Sequence, residues 1–394
     1  MDASFFIAGR LRFRGNIAVI SIAVSFLVMI IAVSVSSGFR HEVRNGLSEM
    51  SGDIRLMPPA MNYLDENEPI ESDPAYLPYV QDAKGVKSVA PVVYRAGIVK
   101  NGENIHGVLF KGISGGVSEA SDSVSLSLAV SIPSRLAEIS GLKAGDRMLA
   151  YFVGDKVKAR QFNVVSVHQT MVQADDKLVV YADLSDMQRV NGWEDDQASV
   201  LEVMLEDEYK DEGQIEEIAD LVGTLVNSYG VEEEASVISV SAVSSYPQLF
   251  DWLNLIDFNV LFILALMTIV AGFNMISGLL IMLFENISTI GLLKSLGMTD
   301  RSISKVFLSS SAVLVLKGMA AGNILAILFC IVQSTTHLLR LNPENYFVSF
   351  VPVNLDFGTI LCADILSFFV IMLLLLIPCV FISKVDPAET VRVR

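Results

Sequence analysis

The chain has 394 residues, of which 52% are hydrophobic, and its mean hydropathy is +0.51. Soluble proteins are rarely so apolar, so the composition indicates membrane spans. The formal net charge of −16 argues against a nucleic-acid partner, because nucleic acids bind basic surfaces. The acidic excess lies in residues 39–252, which predicts an acidic soluble domain on a smaller membrane domain.

Four apolar runs are long enough to cross a bilayer core of roughly 30 Å as helices. The sequence therefore predicts a membrane protein with four transmembrane α-helices and a large α+β periplasmic domain between helices 1 and 2. The first run could instead be a cleaved signal peptide, although the apolar region of a signal normally has only about 7–15 residues. The predicted order is a cytoplasmic interfacial helix at 1–16, TM1 at 17–38, the periplasmic domain at 39–252, TM2 at 253–284, a cytoplasmic helical loop at 285–305, TM3 at 306–336, a short periplasmic loop at 337–356, TM4 at 357–383 and a cytoplasmic tail at 384–394.

Basic residues near the span ends set the predicted orientation, because cytoplasmic loops are enriched in lysine and arginine. They precede TM1, lie between TM2 and TM3, and follow TM4: Arg10, Arg12, Arg14, Lys294, Arg301, Lys305, Lys384, Arg392 and Arg394. Both termini and the 285–305 loop are therefore expected in the cytoplasm. Aromatic residues among the first basic residues suggest the interfacial helix, with a disordered basic tail as the alternative.

A few polar or small residues interrupt the apolar runs. Lys317 and Asp364 lie toward opposite membrane faces, so we expect each to snorkel or to have its own structural partner rather than to pair with the other. Asn274 is expected to hydrogen-bond to a neighbouring helix, and Gly318 with Gly322 to allow close helix packing. The cysteines are expected to act as small apolar residues, without a disulfide or metal role: Cys330, Cys362 and Cys379.

In the soluble section, residues 86–113 predict a β-hairpin around the turn NGEN, and residues 206–230 predict an acidic linker and an amphipathic helix. The expected buried stripe of that helix is Ile215, Ile218, Leu221, Val222 and Leu225. HEVRN at 41–45 is half of a zinc-protease motif without its second histidine, and the chain has no GxxxxGK[ST] loop for ATP. We therefore expect a non-catalytic chain with no metal or cofactor of its own.

The loop ENISTIGLLKSL predicts a short amphipathic helix, in which Ile290, Leu293 and Leu296 are spaced like one face. Gly297 suits the position after its C-cap, and Thr299 or Asp300 can cap the following helix. A plain connector between two spans needs no apolar face. The face is therefore expected to dock in a cleft on another protein, with the membrane surface as the alternative.

The stretch FNMISGLLIMLFENISTIGLLKSLGMTDRSISKVFL resembles the second span, coupling helix and third span of FtsX-like ABC transporter permeases. It resembles more closely the transmembrane subunits (LolC/LolE) of the lipoprotein-releasing system, in the FtsX/MacB-like permease superfamily. The likeness continues through FIAGRLRFR near the N-terminus, AVSIPSRLAEISGLKAGDRMLAYF and FNVVSVHQTMV in the soluble domain, and PVNLDFGTIL and ISKVDPAETVRV toward the C-terminus.

The resemblance implies a permease subunit that extracts lipoproteins from the bacterial inner membrane and passes them to a periplasmic carrier. A separate LolD-like cytoplasmic ATPase, which binds the ATP and Mg²⁺, would drive the transfer by mechanotransmission. The other implied partners are a second permease subunit, a LolA-like carrier, the lipoprotein and membrane lipids. Whether the chain is the carrier-recruiting subunit, its partner or a homodimer that performs both roles stays open.

The resemblance also implies three sets of site residues. The ATPase-coupling set is Ile290, Leu293, Lys294, Leu296 and Gly297. The carrier-recruiting hairpin would include Thr170, Met171, Val172, Gln173 and Asp175. The acyl-chain contacts would be Met29, Val33, Leu266 and Phe273.

Three other readings remain open from the sequence. A permease of the same superfamily could export peptides or drugs, or control a cell-wall hydrolase. The macrolide-type exporters usually carry a fused ATPase domain, and the hydrolase regulators usually have a smaller outer domain. A receptor or adhesin would need one span and no coupling helix, and a membrane enzyme would need a catalytic constellation that the sequence lacks.

Overall fold

In the computed structural model, the residues described are 16–62, 69–101, 104–115, 117, 128–154, 157–168, 178–231, 234–342, 346 and 348–383. The chain divides into two compact units. The helical unit comprises Met1–His41, Leu253–Arg340 and Phe350–Arg394, and the β unit comprises Glu42–Trp252 and Leu341–Ser349. Nearly all of the predicted interfacial helix and the whole cytoplasmic tail fall outside the described residues.

The helices are α1 Asn16–Ser51, α2 Leu77–Gln81, α3 Ser134–Ser140, α4 Leu184–Asn191, α5 Glu212–Tyr229, α6 Ala242–Ser245, α7 Pro247–Glu285, α8 Ile287–Ser295, α9 Asp300–Thr336, α10 Phe357–Leu374 and α11 Leu376–Ser383. The strands are β1 Ile54–Met57, β2 Ile70–Glu71, β3 Val86–Asn101, β4 Asn104–Ile113, β5 Ala129–Pro133, β6 Arg147–Phe152, β7 Lys158–His168, β8 Val179–Asp183, β9 Gln197–Ala198, β10 Val200–Leu205 and β11 Ile238–Ser241.

Four helical stretches among the described residues are long and apolar enough to cross a membrane: Ala18–Ser51, Pro247–Glu285, Asp300–Thr336 and Phe357–Val380. The first and second are longer than a bilayer core requires, since about 20 residues suffice. Both continue as helix into residues of the β unit. The C-terminal end of α1 and the N-terminal end of α7 thus belong to the same folded unit as the sheet. The predicted spans did not include these ends.

The helical unit is built around α1. A Cβ atom added at Gly318 of α9 would lie 2.7 Å from Ile22 Cβ, and one at Gly322 would lie 2.5 Å from the Ala23 carbonyl oxygen. Only glycine allows this backbone approach, so the predicted close packing is confirmed. Asn274 of α7 donates to the Ser21 hydroxyl of α1 at 2.5 Å, which confirms the predicted interhelical hydrogen bond.

The ionisable residues in α9 and α10 have different environments. Asp364 is buried and accepts a hydrogen bond from the Asn323 side chain at 2.5 Å, so its structural partner is an amide on α9. Lys317 is exposed on the surface of the helical unit. The absence of a Lys317–Asp364 pair follows from these placements, as expected.

The β unit contains a nine-stranded sheet in the order β11-β1-β10-β3-β4-β8-β5-β7-β6. The long strand β3 also pairs with β6, with Ile98 opposite Tyr151, so the six strands from β3 to β6 close into a ring. Phe110, Phe152 and Phe162 fill its interior, and the ring centroid of Phe110 lies 5.0 Å from that of Phe152. The remaining strands β10, β1 and β11 continue one side of the ring.

Two details of the predicted soluble domain can be compared with the structure. The β3–β4 hairpin is confirmed, with Asn101 opposite Asn104 at its turn. The predicted stripe of α5 is wrong at Leu221, which is exposed, while Ala219 and Val226 are buried instead. The buried stripe of the helix is therefore Ile215, Ile218, Ala219, Val222 and Val226.

Candidate functional site

The short helix α8 is seated on the helical unit through its apolar residues. Ile290 is 1% exposed and belongs to the same buried cluster as Ile303 and Phe307 of α9. Leu293 is half-buried and packs against that cluster. These contacts fix the helix to its own chain through the face that was predicted to dock elsewhere.

The turn after α8 is defined by two backbone hydrogen bonds. Gly297 has a φ of +89° and donates to the Lys294 carbonyl at 2.9 Å, while Met298 donates to the Leu293 carbonyl at 3.0 Å. This pair of bonds is a Schellman motif, in which glycine accepts the left-handed conformation without strain. Thr299 then caps α9 by accepting from the Ser302 amide at 3.4 Å. The predicted positions of the glycine and of the threonine cap are confirmed.

Lys294 holds the two helices of this turn together. Its ammonium group lies 3.0 Å from the Asp300 carboxylate, and its side chain is only 11% exposed. A cation near a helix C-terminus is also favoured by the helix dipole. The role of this lysine in the described structure is therefore to brace the turn, so it is poorly placed to reach a partner.

The outward face of α8 consists of other residues. Leu292 is 55% exposed and Leu296 is 76% exposed, against 1% for Ile290. At about 100° per residue, Leu292 and Leu296 point about 40° apart, whereas Ile290 and Leu296 point about 120° apart. The predicted set thus mixes a buried face with an exposed one. Leu292 was missed, and its i,i+4 spacing from Leu296 is the signal that could have found it.

The predicted acyl-chain contacts also include both buried and exposed residues. Met29 and Val33 of α1 are buried in the packed clusters of the helical unit, so they do not lie on its surface. Leu266 and Phe273 of α7 are exposed. The reason is that α1 is surrounded by other helices, while α7 uses only one side for packing.

The predicted carrier-recruiting residues, Thr170, Met171, Val172, Gln173 and Asp175, lie outside the described residues. The strands that flank them, β7 and β8, do not pair with each other, because β5 lies between them in the sheet. In the described part of the chain, no group of three or more His, Cys, Asp or Glu residues could hold a metal ion.

Comparisons with known proteins show which protein family the chain is similar to. Residues 261–387, which include most of α7 and all of α8, α9 and α10, match the family FtsX-like permease C-terminal. The chain is 23% identical to the lipoprotein-releasing system transmembrane protein LolC of Neisseria meningitidis, over 98% of this chain and 95% of that protein. It is 20% identical to the protein of the same name from Xylella fastidiosa strain Temecula1, with the same coverage.

Two solved structures also show similarity. One is the extracellular domain of the noncanonical ABC-type transporter YknZ from Gram-positive bacteria, with 14% identity, 48% of this chain, 100% of that chain and a TM-score of 0.31. The other is the periplasmic region of MacB from Actinobacillus actinomycetemcomitans, with 14% identity, 51% of this chain, 95% of that chain and a TM-score of 0.31.

The matched segment contains α9, α10, most of α7 and the short helix α8, which supports a transmembrane permease of the FtsX-like class. Its similarity to LolC proteins extends over nearly the whole chain, which supports the LolC/LolE type within that class. The resemblance deduced from the sequence is thereby confirmed.

Proposed function

We propose that this chain is the permease subunit of an ABC transporter that extracts lipoproteins from the bacterial inner membrane and passes them to a periplasmic carrier. The observation that carries the proposal is the full-length similarity to lipoprotein-releasing transmembrane proteins, which covers 98% of the chain. Both termini and α8 would lie in the cytoplasm, and the β unit in the periplasm, in agreement with the basic residues near the span ends.

A separate cytoplasmic ATPase would bind ATP and Mg²⁺ and supply the energy. We propose that it contacts α8 through Leu292 and Leu296, because these exposed leucines form an apolar face at the end of a bundle. Gly297 lies beside them, and Leu293 lies at the margin. Ile290 and Lys294 would act indirectly, by holding α8 against α9 so that a push on the helix moves the span.

The lipoprotein's acyl chains would approach α7 rather than the core of the bundle. Leu266 and Phe273 lie on its exposed apolar side, which extends through Phe258 and Phe262. A second permease subunit would complete the transporter, and the carrier would meet the β unit. Met29 and Val33 would reach acyl chains only if α1 left its present packing.

The docking face can be tested with paired variants. Leu292→Asp with Leu296→Asp is expected to leave the bundle folded, because both side chains are exposed, and to abolish ATPase binding and lipoprotein-stimulated ATP hydrolysis. Leu338→Asp is the matched control, since that leucine is also exposed but lies beyond the other end of α9. Normal ATPase binding by the double variant would remove α8 as the docking site.

The transport function itself is tested by reconstitution. The chain, its ATPase and its permease partner are placed in proteoliposomes with a labelled triacylated lipoprotein, and the purified carrier is added outside. ATP is expected to move the lipoprotein into a soluble complex with the carrier, whereas ATP without carrier is not. Equal soluble lipoprotein with and without ATP would contradict the proposal.

A further inference from the structure

One face of the sheet in the β unit has charged side chains that are buried side by side. Lys111 of β4 and Glu202 of β10 form an ion pair at 2.8 Å, with their side chains 2% and 3% exposed. Arg55 of β1 is opposite Glu202 in the strand register, and Tyr94 of β3 is opposite Lys111. The four residues therefore lie on one sheet face, although they come from four different strands.

The ion pair holds the C-terminal end of α1. The Lys111 ammonium donates to the Met50 carbonyl at 2.9 Å and to the Glu49 carbonyl at 3.2 Å, in addition to Glu202. Carbonyls in the last turn of a helix have no partner within the helix, and the helix dipole favours a cation there. All three protons of the ammonium group are thus used, and two of them bind the helix end.

Tyr94 strengthens the same attachment. Its hydroxyl lies 3.3 Å from the Met50 carbonyl and donates a short hydrogen bond to Glu202. The neighbouring His168 lines the same cavity, of about 450 Å³, and burial lowers its pKa to about 4. It is therefore uncharged at neutral pH and adds no second positive charge to the cavity.

The short helix α6, which precedes α7, is attached to β1 and to the residue before it. Arg55 donates to the Ser245 hydroxyl of α6 at 2.8 Å, shortly before α7 begins. The Asp53 carbonyl accepts from the Ala242 amide at 2.8 Å, and the Asp53 carboxylate accepts from the Leu205 amide at 2.8 Å. The end of α1 is therefore held by side chains of β3 and β4, and the segment before α7 is held by β1 and the residue that precedes it, in each case through directional hydrogen bonds.

A buried ion pair is a costly way to obtain stability alone. Desolvation of the two charges offsets much of their attraction, and an apolar pair of similar volume is often as stable. What the ion pair adds is direction, because hydrogen bonds to two consecutive carbonyls resist sliding and rotation of the helix end. Apolar contacts such as those of Val43 and Leu47 do not have this directionality.

We propose that Lys111, Glu202 and Tyr94 form a positioning joint that transmits movement of α1 to the β unit and so couples ATP hydrolysis to lipoprotein release. This inference rests on the proposed function. The joint contacts neither ATP nor the lipoprotein. It determines how much of each ATP-driven movement of the helix reaches the outer domain.

The test is the number of lipoproteins released per ATP hydrolysed, in proteoliposomes that contain the complete transporter. In the double variant Lys111→Met with Glu202→Leu, apolar side chains replace both members of the ion pair, so neither member is left charged without the other. We expect ATP hydrolysis to stay near the wild-type rate while release per ATP falls about tenfold, within the usual range for coupling between sites. A merely structural role would lower both quantities together.

The matched control is Lys210→Met with Asp207→Leu, which removes a more exposed ion pair of 3.1 Å in the same unit and should leave the ratio unchanged. Tyr94→Phe keeps the aromatic ring and should lower the ratio a few-fold. A folded double variant that releases as much lipoprotein per ATP as the wild type overturns the proposal. If the double variant unfolds, a wild-type release ratio in Tyr94→Phe overturns the proposal instead. If the wild-type transporter releases no lipoprotein, the proposed function fails instead.

Discussion

The two long helices that flank the β unit are similar in sequence character but differ in their surroundings. The most apolar windows of α1 and α7 have mean hydropathies of 2.8 and 2.3, yet 44% of the first window is buried and only 22% of the second. Hydropathy thus decides that both helices can span a membrane, but not which of them has a free side. Which helix has a free side depends on the neighbouring helices, chiefly on the glycines of α9 that allow α1 to pack closely.

The difference gives the helices separate roles in the proposed transporter. Because α1 is packed on most sides in the helical unit and held by Lys111 at its far end, it is suited to transmit movement. Because α7 has an exposed apolar side, it is suited to meet an acyl chain. Three tests, with four variants and their controls, examine this contrast.

The largest effect is expected from Gly322→Leu. A side chain there would meet the Ala23 carbonyl and Phe26, so α1 could not keep its position. The cost should exceed the roughly 1–3 kcal/mol of ordinary overpacking. Ala320→Leu, on an exposed side of the same helix, is the control. Thermal unfolding in detergent should show no folded Gly322→Leu protein, and a wild-type midpoint would refute the central placement of α1.

A second pair of variants compares the two helices directly. Met29→Ala should lower the free energy of unfolding by about 2–5 kcal/mol, because it leaves a cavity in the bundle. Phe273→Ala should change it by less than about 0.5 kcal/mol, because that ring is exposed. Lipoprotein release at saturating ATP should nevertheless fall in Phe273→Ala. Equal destabilisation by the two changes would show that α7 is packed as tightly as α1.

The smallest effect is expected from Asn274→Leu. It removes the hydrogen bond to Ser21 that joins α7 to α1, and such bonds contribute about 0.6 kcal/mol on average in membranes. Ser277→Ala, on an exposed side of α7, is the control. Unfolding in graded denaturant should resolve a small decrease for Asn274→Leu and none for the control. A loss of several kcal/mol would mean that this bond, rather than apolar packing, holds α7 in place.

The parts of the structure that the sequence predicted depend on local signals. Long apolar runs identify the four helices, and Gly297 with Thr299 identifies the turn after α8, because each conformation needs those residue types nearby. The pairing of β3 with β6 could not be predicted, since it joins residues such as Ile98 and Tyr151 that are far apart in sequence.

The candidate site was predicted in position but not in detail. The sequence indicated a short helix with apolar residues, and the structure contains it. The sequence did not separate the buried face from the exposed one, because Ile290 contacts α9 and a helical pattern cannot say which apolar side a neighbouring helix will cover. The buried pair Lys111–Glu202 was missed for a similar reason, since its members lie on strands that are far apart in sequence.

The most direct test of the account is depletion of this protein in its own bacterium, followed by separation of the inner and outer membranes. The account predicts that lipoproteins destined for the outer membrane accumulate in the inner membrane. It also predicts that wild-type protein restores their sorting, whereas the Leu292→Asp and Leu296→Asp double variant does not. Normal sorting after depletion would contradict the lipoprotein-release function and leave only a permease of another substrate.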